Sequence, residues 1–393
     1  AIGRAALYSN TTGTQNTAVG RDAIRTNTTG SYNTGVGRDA LYYNTGDSNT
    51  AIGTDALQSN TTGSYNIAVG HDTLDSNTEG QRNTAIGTYA LDANTTGDYN
   101  TAIGMHALGA NTTADSNTAV GYNALDANTT AGNNTSVGYE AGKLNTTGEK
   151  NTSIGSLAGY TNTTSDNNTS VGYGASFYNT GEWNVSLGSE ALLGSSSVTS
   201  SGEENVAIGA YAARSLITGD HNTAVGRSAG FNLTSGSNNT LIGFAAGTTN
   251  SPSGIVSSAS NHICLGDDDV AALYCAVSSI STSDARDKTD VVNFTHGLNW
   301  INQLNPVTYR WDKRSWYDDR TPNGSKKRNK KHIGFLAQDV LAIEGNPTDK
   351  DDMLVVSLNA DDTAYGLQYE RLVPVLVNAI KELSTKVAAL EAA

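Results

Sequence analysis

A 17-residue repeat runs through the first two thirds of the chain and constrains its fold more than any other feature. Each copy reads Asn-Thr-Ala-(Ile/Val)-Gly, then Ala-Leu three residues later, then Asn-Thr-Thr-Gly. Its first glycine recurs from Gly3 to Gly243 in steps of 17 residues, with two steps of 16 and one of 21. A helical hairpin repeat needs more than about 30 residues, so the period favours one coil of a β-solenoid.

The residue types within one copy predict how each coil is built. Thr-Ala-Ile/Val suits a strand, the glycine permits a positive-φ corner, and Asn-Thr-Thr-Gly is typical of a second turn. We expect two short strands per coil. Stacked coils then place like residues together, so that Asn16, Asn33 and Asn49 form a ladder and the Ile/Val and Leu positions fill the interior. Some fifteen coils give a rod of roughly 70 Å.

The interior of such a rod is thin. Only 37% of all residues are hydrophobic, and a typical coil offers three inward apolar groups, Ile52, Ala56 and Leu57. We therefore predict that three chains pack side by side along the rod. The pattern Asn-x-Ala-Ile-Gly-x-x-Ala resembles the β-roll heads of trimeric autotransporter adhesins, whose coil is shorter, so the resemblance implies the architecture alone.

The charge and ligand chemistry of the rod exclude several functions. Residues 1–282 hold 9 Lys/Arg and 22 Asp/Glu, a balance that repels nucleic acid. The repeat is not the calcium-binding nonapeptide, and Cys264 and Cys275 fit no metal spacing, so we expect no metal and no cofactor. The Asn-x-Thr triplets, such as Asn10-Thr-Thr and Asn27-Thr-Thr, are interpreted as turn residues rather than glycosylation sites. The sequence contains no run of about 18 apolar residues, so we predict no membrane-spanning segment.

Composition changes near residue 280. Four of five prolines and three of four tryptophans follow residue 283. We predict a solenoid shaft at 1–250, a connector at 251–283 and a mixed α/β domain at 284–393. The domain is expected to end in a coiled coil at about 371–392, because apolar residues recur there at spacings of 3 and 4. They are Val373, Leu376, Ile380, Leu383, Val387 and Leu390.

Four separated motifs carry a family resemblance in this last domain. They are Ser283-Asp-Ala-Arg-Asp-Lys288, Leu304-Asn-Pro-Val-Thr-Tyr-Arg-Trp311, His332-Ile-Gly-Phe-Leu-Ala-Gln-Asp-Val340 and Tyr369-Glu-Arg-Leu-Val-Pro-Val-Leu376. Their order resembles the endosialidase-type intramolecular chaperone, an autoproteolytic domain at the end of phage tailspikes and tail fibres. The resemblance implies that the domain trimerises, drives folding of the rod and cuts itself off between Ser283 and Asp284.

The resemblance also assigns catalytic roles. Ser283 and Lys288 form a Ser-Lys dyad, in which a desolvated lysine acts as the base for the serine hydroxyl, and Asp284 and Arg286 shape the turn. The dyad acts once, on its own chain. Attack by Ser283 on its own carbonyl would close a strained four-membered ring. Two other sources of the attacking group therefore stay open, a neighbouring chain and a water molecule.

The resulting expectation is the distal part of a phage tail fibre, assembled in the host cytoplasm and carried in the virion. Its partners are two further copies of itself, a host-surface receptor (a glycan or an outer-membrane component) and other tail proteins through a missing N-terminal part. The pattern breaks at 189–204 and 250–262 are the expected receptor loops.

Two alternatives stay open, a glycan-degrading tailspike and a bacterial trimeric adhesin. The tailspike needs a unique carboxylate pair, whereas Asp22, Asp39, Asp55 and Asp72 recur and predict a solvated stripe. Asp267, Asp268 and Asp269 predict a solvated turn, and the basic run Lys326–Lys331 predicts a solvated hairpin tip.

Overall fold

The computed structural model describes residues 1–270, 288–314, 317, 320–358 and 365–392. The chain divides into two compact units. The solenoid unit comprises Ala1–Thr248 and Val256–Gly266, and the C-terminal unit comprises Thr249–Ile255 and Asp267–Ala393.

The solenoid unit is built on one parallel sheet, which confirms the predicted β-solenoid of 17-residue coils. Each coil contributes a three-residue strand, and each strand pairs in register with the next strand along the chain. The degenerate last copy supplies the final strand. The strands are β1 Thr17–Val19, β2 Thr34–Val36, β3 Thr50–Ile52, β4 Ile67–Val69, β5 Thr84–Ile86, β6 Thr101–Ile103, β7 Thr118–Val120, β8 Thr135–Val137, β9 Thr152–Ile154, β10 Thr169–Val171, β11 Val185–Leu187, β12 Val206–Ile208, β13 Thr223–Val225, β14 Thr240–Ile242 and β15 Ile263–Leu265.

The other side of each coil is a series of turns, not the second strand that we expected. The leucine position lies in the left-handed region, with φ of 54° at Leu41 and 51° at Leu57. Residues in this conformation form turns, so this side of the coil does not form an extended strand. The coils nevertheless bond to each other here, since the Leu41 N–H donates to the Ala56 carbonyl oxygen at 3.0 Å.

The strand-ending glycine is required by the stacking of the coils. At Gly104, φ is 135°, and an added Cβ would lie 2.4 Å from the Gly121 carbonyl oxygen. A side chain here would therefore strain the backbone and also separate the coils.

Two asparagine ladders satisfy the buried polar groups at the turns. The Asn33 N–H donates to Oδ1 of Asn16 at 2.9 Å, and the Asn49 N–H donates to Oδ1 of Asn33 at 2.9 Å. This confirms the predicted ladder. A second ladder joins the Asn-Thr-Thr asparagines, in which Asn77 Nδ2 donates to Oδ1 of Asn60 at 2.8 Å. Hydrogen bonds that repeat in this way from coil to coil help to fix the coil geometry.

The interior of the solenoid consists mainly of alanine and leucine. Ala51, Ala56 and Leu57 are fully buried, whereas Ile52, predicted to lie inside, points outward and is 43% exposed. In a three-residue strand the first and third side chains share one face and the second takes the other. The turn side fills the interior with leucine, so only the small middle residue of the strand fits there. The apolar Ile/Val column therefore lies on the outer face.

This packing makes a stability prediction. Leu91 is fully buried between neighbouring coils, so Leu91→Ala should lower the free energy of unfolding of the solenoid by about 2–5 kcal/mol. Leu144→Ala removes the same atoms from a side chain that is 37% exposed, and should cost about 1 kcal/mol. Thermal unfolding followed by circular dichroism measures both, and equal losses would contradict the assigned interior.

The C-terminal unit contains three helices and two strand pairs among its described residues. The helices are α1 Leu298–Ile301, α2 Ala337–Ile343 and α3 Leu372–Glu391. β16 Val307–Tyr309 pairs antiparallel with β17 His332–Gly334, and β18 Val356–Leu358 pairs antiparallel with β19 Tyr365–Leu367. Short 3₁₀ turns lie at Lys350–Asp352 and Tyr369–Arg371. No helix in the described part of the chain has the length and apolar content needed to cross a membrane.

Candidate functional site

The second and third motifs meet in the β16–β17 pair. Tyr309 stacks on His332 with ring centroids 5.5 Å apart, and Trp311 meets the Tyr309 ring edge-on at 5.3 Å. Burial raises the pKa of the Tyr309 hydroxyl, and the neighbouring Tyr369 adds to this shift. Two motifs with 20 residues between them in the sequence thus build one aromatic cluster.

The fourth motif joins the same cluster. The Tyr369 hydroxyl accepts a hydrogen bond from the Phe335 N–H at 3.1 Å, and the two rings lie 6.1 Å apart. Gly334 leaves room for this hydroxyl, since an added Cβ would lie 2.5 Å from its oxygen. Residues from three of the four motifs therefore meet in one aromatic cluster.

Charged side chains fasten the segment before β18. The Glu344 carboxylate, at the end of α2, accepts hydrogen bonds from the N–H groups of Leu354 at 3.1 Å and Val355 at 2.7 Å. From the opposite side, the Arg371 guanidinium donates to the Leu354 carbonyl oxygen at 3.0 Å. Charge-assisted bonds of this kind are about twice as strong as neutral ones. Apolar side chains pack beneath them, namely Trp300, Val340, Leu341, Met353, Val355, Val356, Leu372 and Val375.

Helix α3 has two apolar faces with different surroundings. Leu372, Val375 and Ala379 are buried against the rest of the unit. The six residues at the predicted coiled-coil spacing, which we call the α3 seam, are all exposed. Their exposed fractions are Val373 57%, Leu376 43%, Ile380 66%, Leu383 51%, Val387 45% and Leu390 78%. The predicted helix is confirmed, and its exposed seam is available to another chain.

The comparison with known families identifies this region. Residues 283–348 match the family model described as the chaperone of endosialidase. The chain carries an endosialidase-type chaperone domain. This family implies a self-cleaving peptidase domain. No curated protein and no solved structure matches the chain.

The matched segment of the chaperone domain begins at the predicted cleavage site. Ser283, Asp284 and Arg286 lie outside the described residues. Lys288 is described, and it is exposed within a non-helical segment. The Ser283–Lys288 dyad therefore stays a prediction that rests on the motif.

The lysines of the basic run in the chaperone domain are exposed, as predicted for a solvated tip, and Arg328 is partly exposed. The Arg328 guanidinium lies 3.7 Å from the Asp269 carboxylate, and the Lys313 ammonium donates to the Asp268 carbonyl oxygen at 3.0 Å. Asp268 and Asp269 belong to the segment that directly follows β15. The sequence contained both partners, an acidic triplet in the predicted connector and a basic run in the predicted domain. The 58 residues between Asp269 and Arg328 hid their pairing.

The recurring aspartates of the solenoid are less solvated than we predicted, since Asp39, Asp55 and Asp72 are only partly exposed. Asp22 is buried and lies 3.3 Å from the Arg4 guanidinium and 3.3 Å from that of Arg21. Arg38 continues this ladder, with its guanidinium 2.8 Å from the Asp55 carboxylate. The register that stacks the coils also stacks the arginine of one coil beside the aspartate of the next.

Proposed function

We propose that this chain is the distal part of a phage tail fibre. Its chaperone domain gathers three chains, directs folding of the solenoid, and then releases itself by cutting between Ser283 and Asp284. The observation that carries the proposal is a chaperone-family domain directly after a solenoid whose coils are nearly identical.

The α3 seam supports trimer formation. Six apolar side chains at spacings of 3 and 4 lie in water in the single chain, and a contiguous apolar stripe of this size is typical of an interaction surface. Since the buried face of α3 is a different one, the seam is free to form a coiled coil with the same helix of two other chains.

The outer face of the solenoid sheet supports lateral packing of the three rods. Its Ile/Val column includes Ile86, Ile103 and Ile154, which are 40%, 37% and 40% exposed. These residues stand beside a column of threonines on the same face. Burying this face against two further copies would supply the apolar area that the thin interior lacks.

Near-identity of the coils explains the need for a chaperone. The Asn100 N–H bonds to Asn83, and the Asn117 N–H bonds to Asn100, in the same geometry. A neighbouring chain displaced by one coil would therefore meet almost the same surface. Non-local pairing is already slow, and partly paired chains aggregate. Joining three C-terminal domains first would set the register before the rods pack.

Cleavage would follow assembly. A lysine acts as a base when it is desolvated, and the Lys288 side chain is exposed in the single chain. We infer that trimer formation covers it. The attacking oxygen, from a neighbouring chain's serine or a water molecule, would give its proton to the lysine and bond to the carbonyl carbon of Ser283. The lysine would then pass that proton to the Asp284 nitrogen as the Ser283–Asp284 bond breaks and the amine leaves. Where a serine attacks, water would hydrolyse the resulting ester and release that serine. Removal of the folding aid then traps the rod kinetically.

Host attachment would belong to the released rod. The 21-residue step inserts a short exposed loop at 196–199, after which β11 and β12 pair without loss of register. The loop therefore projects from an unbroken rod, as a receptor-binding segment would.

The location of the rod is tested by mass spectrometry of purified virions from the phage that encodes this chain. Peptides from residues 1–283 should be abundant in the tail fraction, and peptides from 284–393 should be at least about tenfold depleted, because the chaperone leaves after folding. Rod peptides in a bacterial envelope, with none in virions, would favour the adhesin alternative.

A further inference from the structure

The arginine–aspartate ladder of the solenoid stops after its third arginine. The position that follows the strand-ending glycine holds Arg4, Arg21 and Arg38, then Thr54 and His71. Each of the three arginines contacts the aspartate of the following coil.

Thr54 offers no such charge to Asp72 of the next coil. Asp72 instead has the His71 imidazole beside it, with Nδ1 3.0 Å from its Oδ2 atom. The substitution changes the chemistry of the column from ion pairing to a mixed nitrogen and oxygen donor set.

Negative charge accumulates at this break. Burial raises the pKa of the Asp75 carboxyl to about 6, and repulsion from Asp72, Asp55 and Asp92 adds to the shift. Its Oδ1 atom is fully buried and has no hydrogen-bond partner among the described residues. A buried carboxylate oxygen without a partner is costly, and a nearby cation would lower that cost by favouring the charged form.

Three ligand atoms of the right types converge here. One atom each from Asp55, His71 and Asp72 lies within 4.8 Å of the other two. We propose that these three residues bind one divalent transition-metal ion, such as Zn²⁺ or Mn²⁺. Imidazole nitrogen with carboxylate oxygen suits these ions, whereas Ca²⁺ and Mg²⁺ prefer oxygen ligands alone.

The surroundings hold the ligands in position. The Asp55 carboxylate accepts hydrogen bonds from Arg38 at 2.8 Å and from Gln58 at 2.8 Å. Hydrogen bonds of this kind fix the orientation of a carboxylate that binds a metal. The His71 side chain is half exposed and can turn toward the ion. Ligands about 2.1 Å from a metal lie closer together than 4.8 Å, so binding requires a contraction of about 1 Å.

The site would clamp two adjacent coils. Asp55 belongs to one coil and His71 and Asp72 to the next, so a bound ion would connect them where the arginine ladder ends. An ion that binds only the folded chain stabilises it by mass action. This inference is independent of the chaperone and of the trimer.

The test is calorimetric titration of the full chain with ZnCl₂, MnCl₂ and, for comparison, CaCl₂ at pH 7.5, together with thermal unfolding. The wild type should bind one ion per chain at this site, and both His71→Thr and Asp72→Asn should weaken that binding at least about tenfold. Threonine occupies the same position in the flanking coils, Thr54 and Thr88, so His71→Thr is compatible with the fold. Asp39→Asn, within the arginine ladder, is the matched control and should bind as the wild type does.

No binding by the wild type at millimolar metal would overturn the proposal. Equal binding by wild type and His71→Thr, or tighter binding of Ca²⁺ than of Zn²⁺, would do the same.

Discussion

Ser283→Ala should leave the chain as one band at 40.8 kDa on a denaturing gel, where the wild type gives two. The wild-type fragments should run at roughly 29 and 11 kDa, in proportion to their shares of the residues. Lys288→Ala should slow cutting by about 10²–10⁴-fold, the usual contribution of a general base. The physical reason is that a serine hydroxyl is a poor nucleophile until a base removes its proton.

The matched controls are Ser281→Ala, two residues before the predicted nucleophile, and Lys350→Ala, elsewhere in the same domain. Both should be cut at the wild-type rate. Cross-linking should show that Ser283→Ala still assembles, since that change removes a hydroxyl group and not an interface. Wild-type cutting in both dyad variants would end the dyad hypothesis, and an uncut wild type would end the proposed self-cleavage.

Charging the α3 seam should abolish assembly. In the double variant Ile380→Asp, Leu383→Asp, each coiled-coil layer would have to bury three carboxylates without partners, at a cost of several kcal/mol per layer. We expect sedimentation to show monomers or irregular aggregates in place of trimers, and the chain to stay uncut because Lys288 is never covered.

Thr385→Asp is the control on the same helix. Thr385 is exposed and lies on the side of α3 opposite to the seam, so this variant should assemble and be cut normally. A seam double variant that still forms trimers would show that the chains associate through another surface. If it formed monomers that were cut at the normal rate, the link between assembly and cleavage would be wrong.

The chaperone motifs were readable from the sequence because each combines residues that are unusual in the rest of the chain. What the sequence did not show is how the motifs meet. Tyr369 bonds to Phe335, thirty-four residues away, and Arg328 lies beside Asp269. Contacts of this kind depend on chain paths that local patterns do not encode.

The sequence by itself determined the coil. Three features define how the coils stack: a period of 17 residues, a glycine at a position with no room for a side chain, and an asparagine at each turn. In the resulting stack Leu57 is buried and the Asn49 N–H bonds to Asn33. Only the tertiary structure decided which way the strand faces. Ile52 is apolar and was predicted to lie inside, yet Ala51 lies there, because a strand of three residues gives the interior one side chain and the turn leucines leave space for a small one. The tertiary structure also decided that Asp22 is buried and paired. The register of the coils, not the composition of the chain, determines which charged residues of adjacent coils lie side by side.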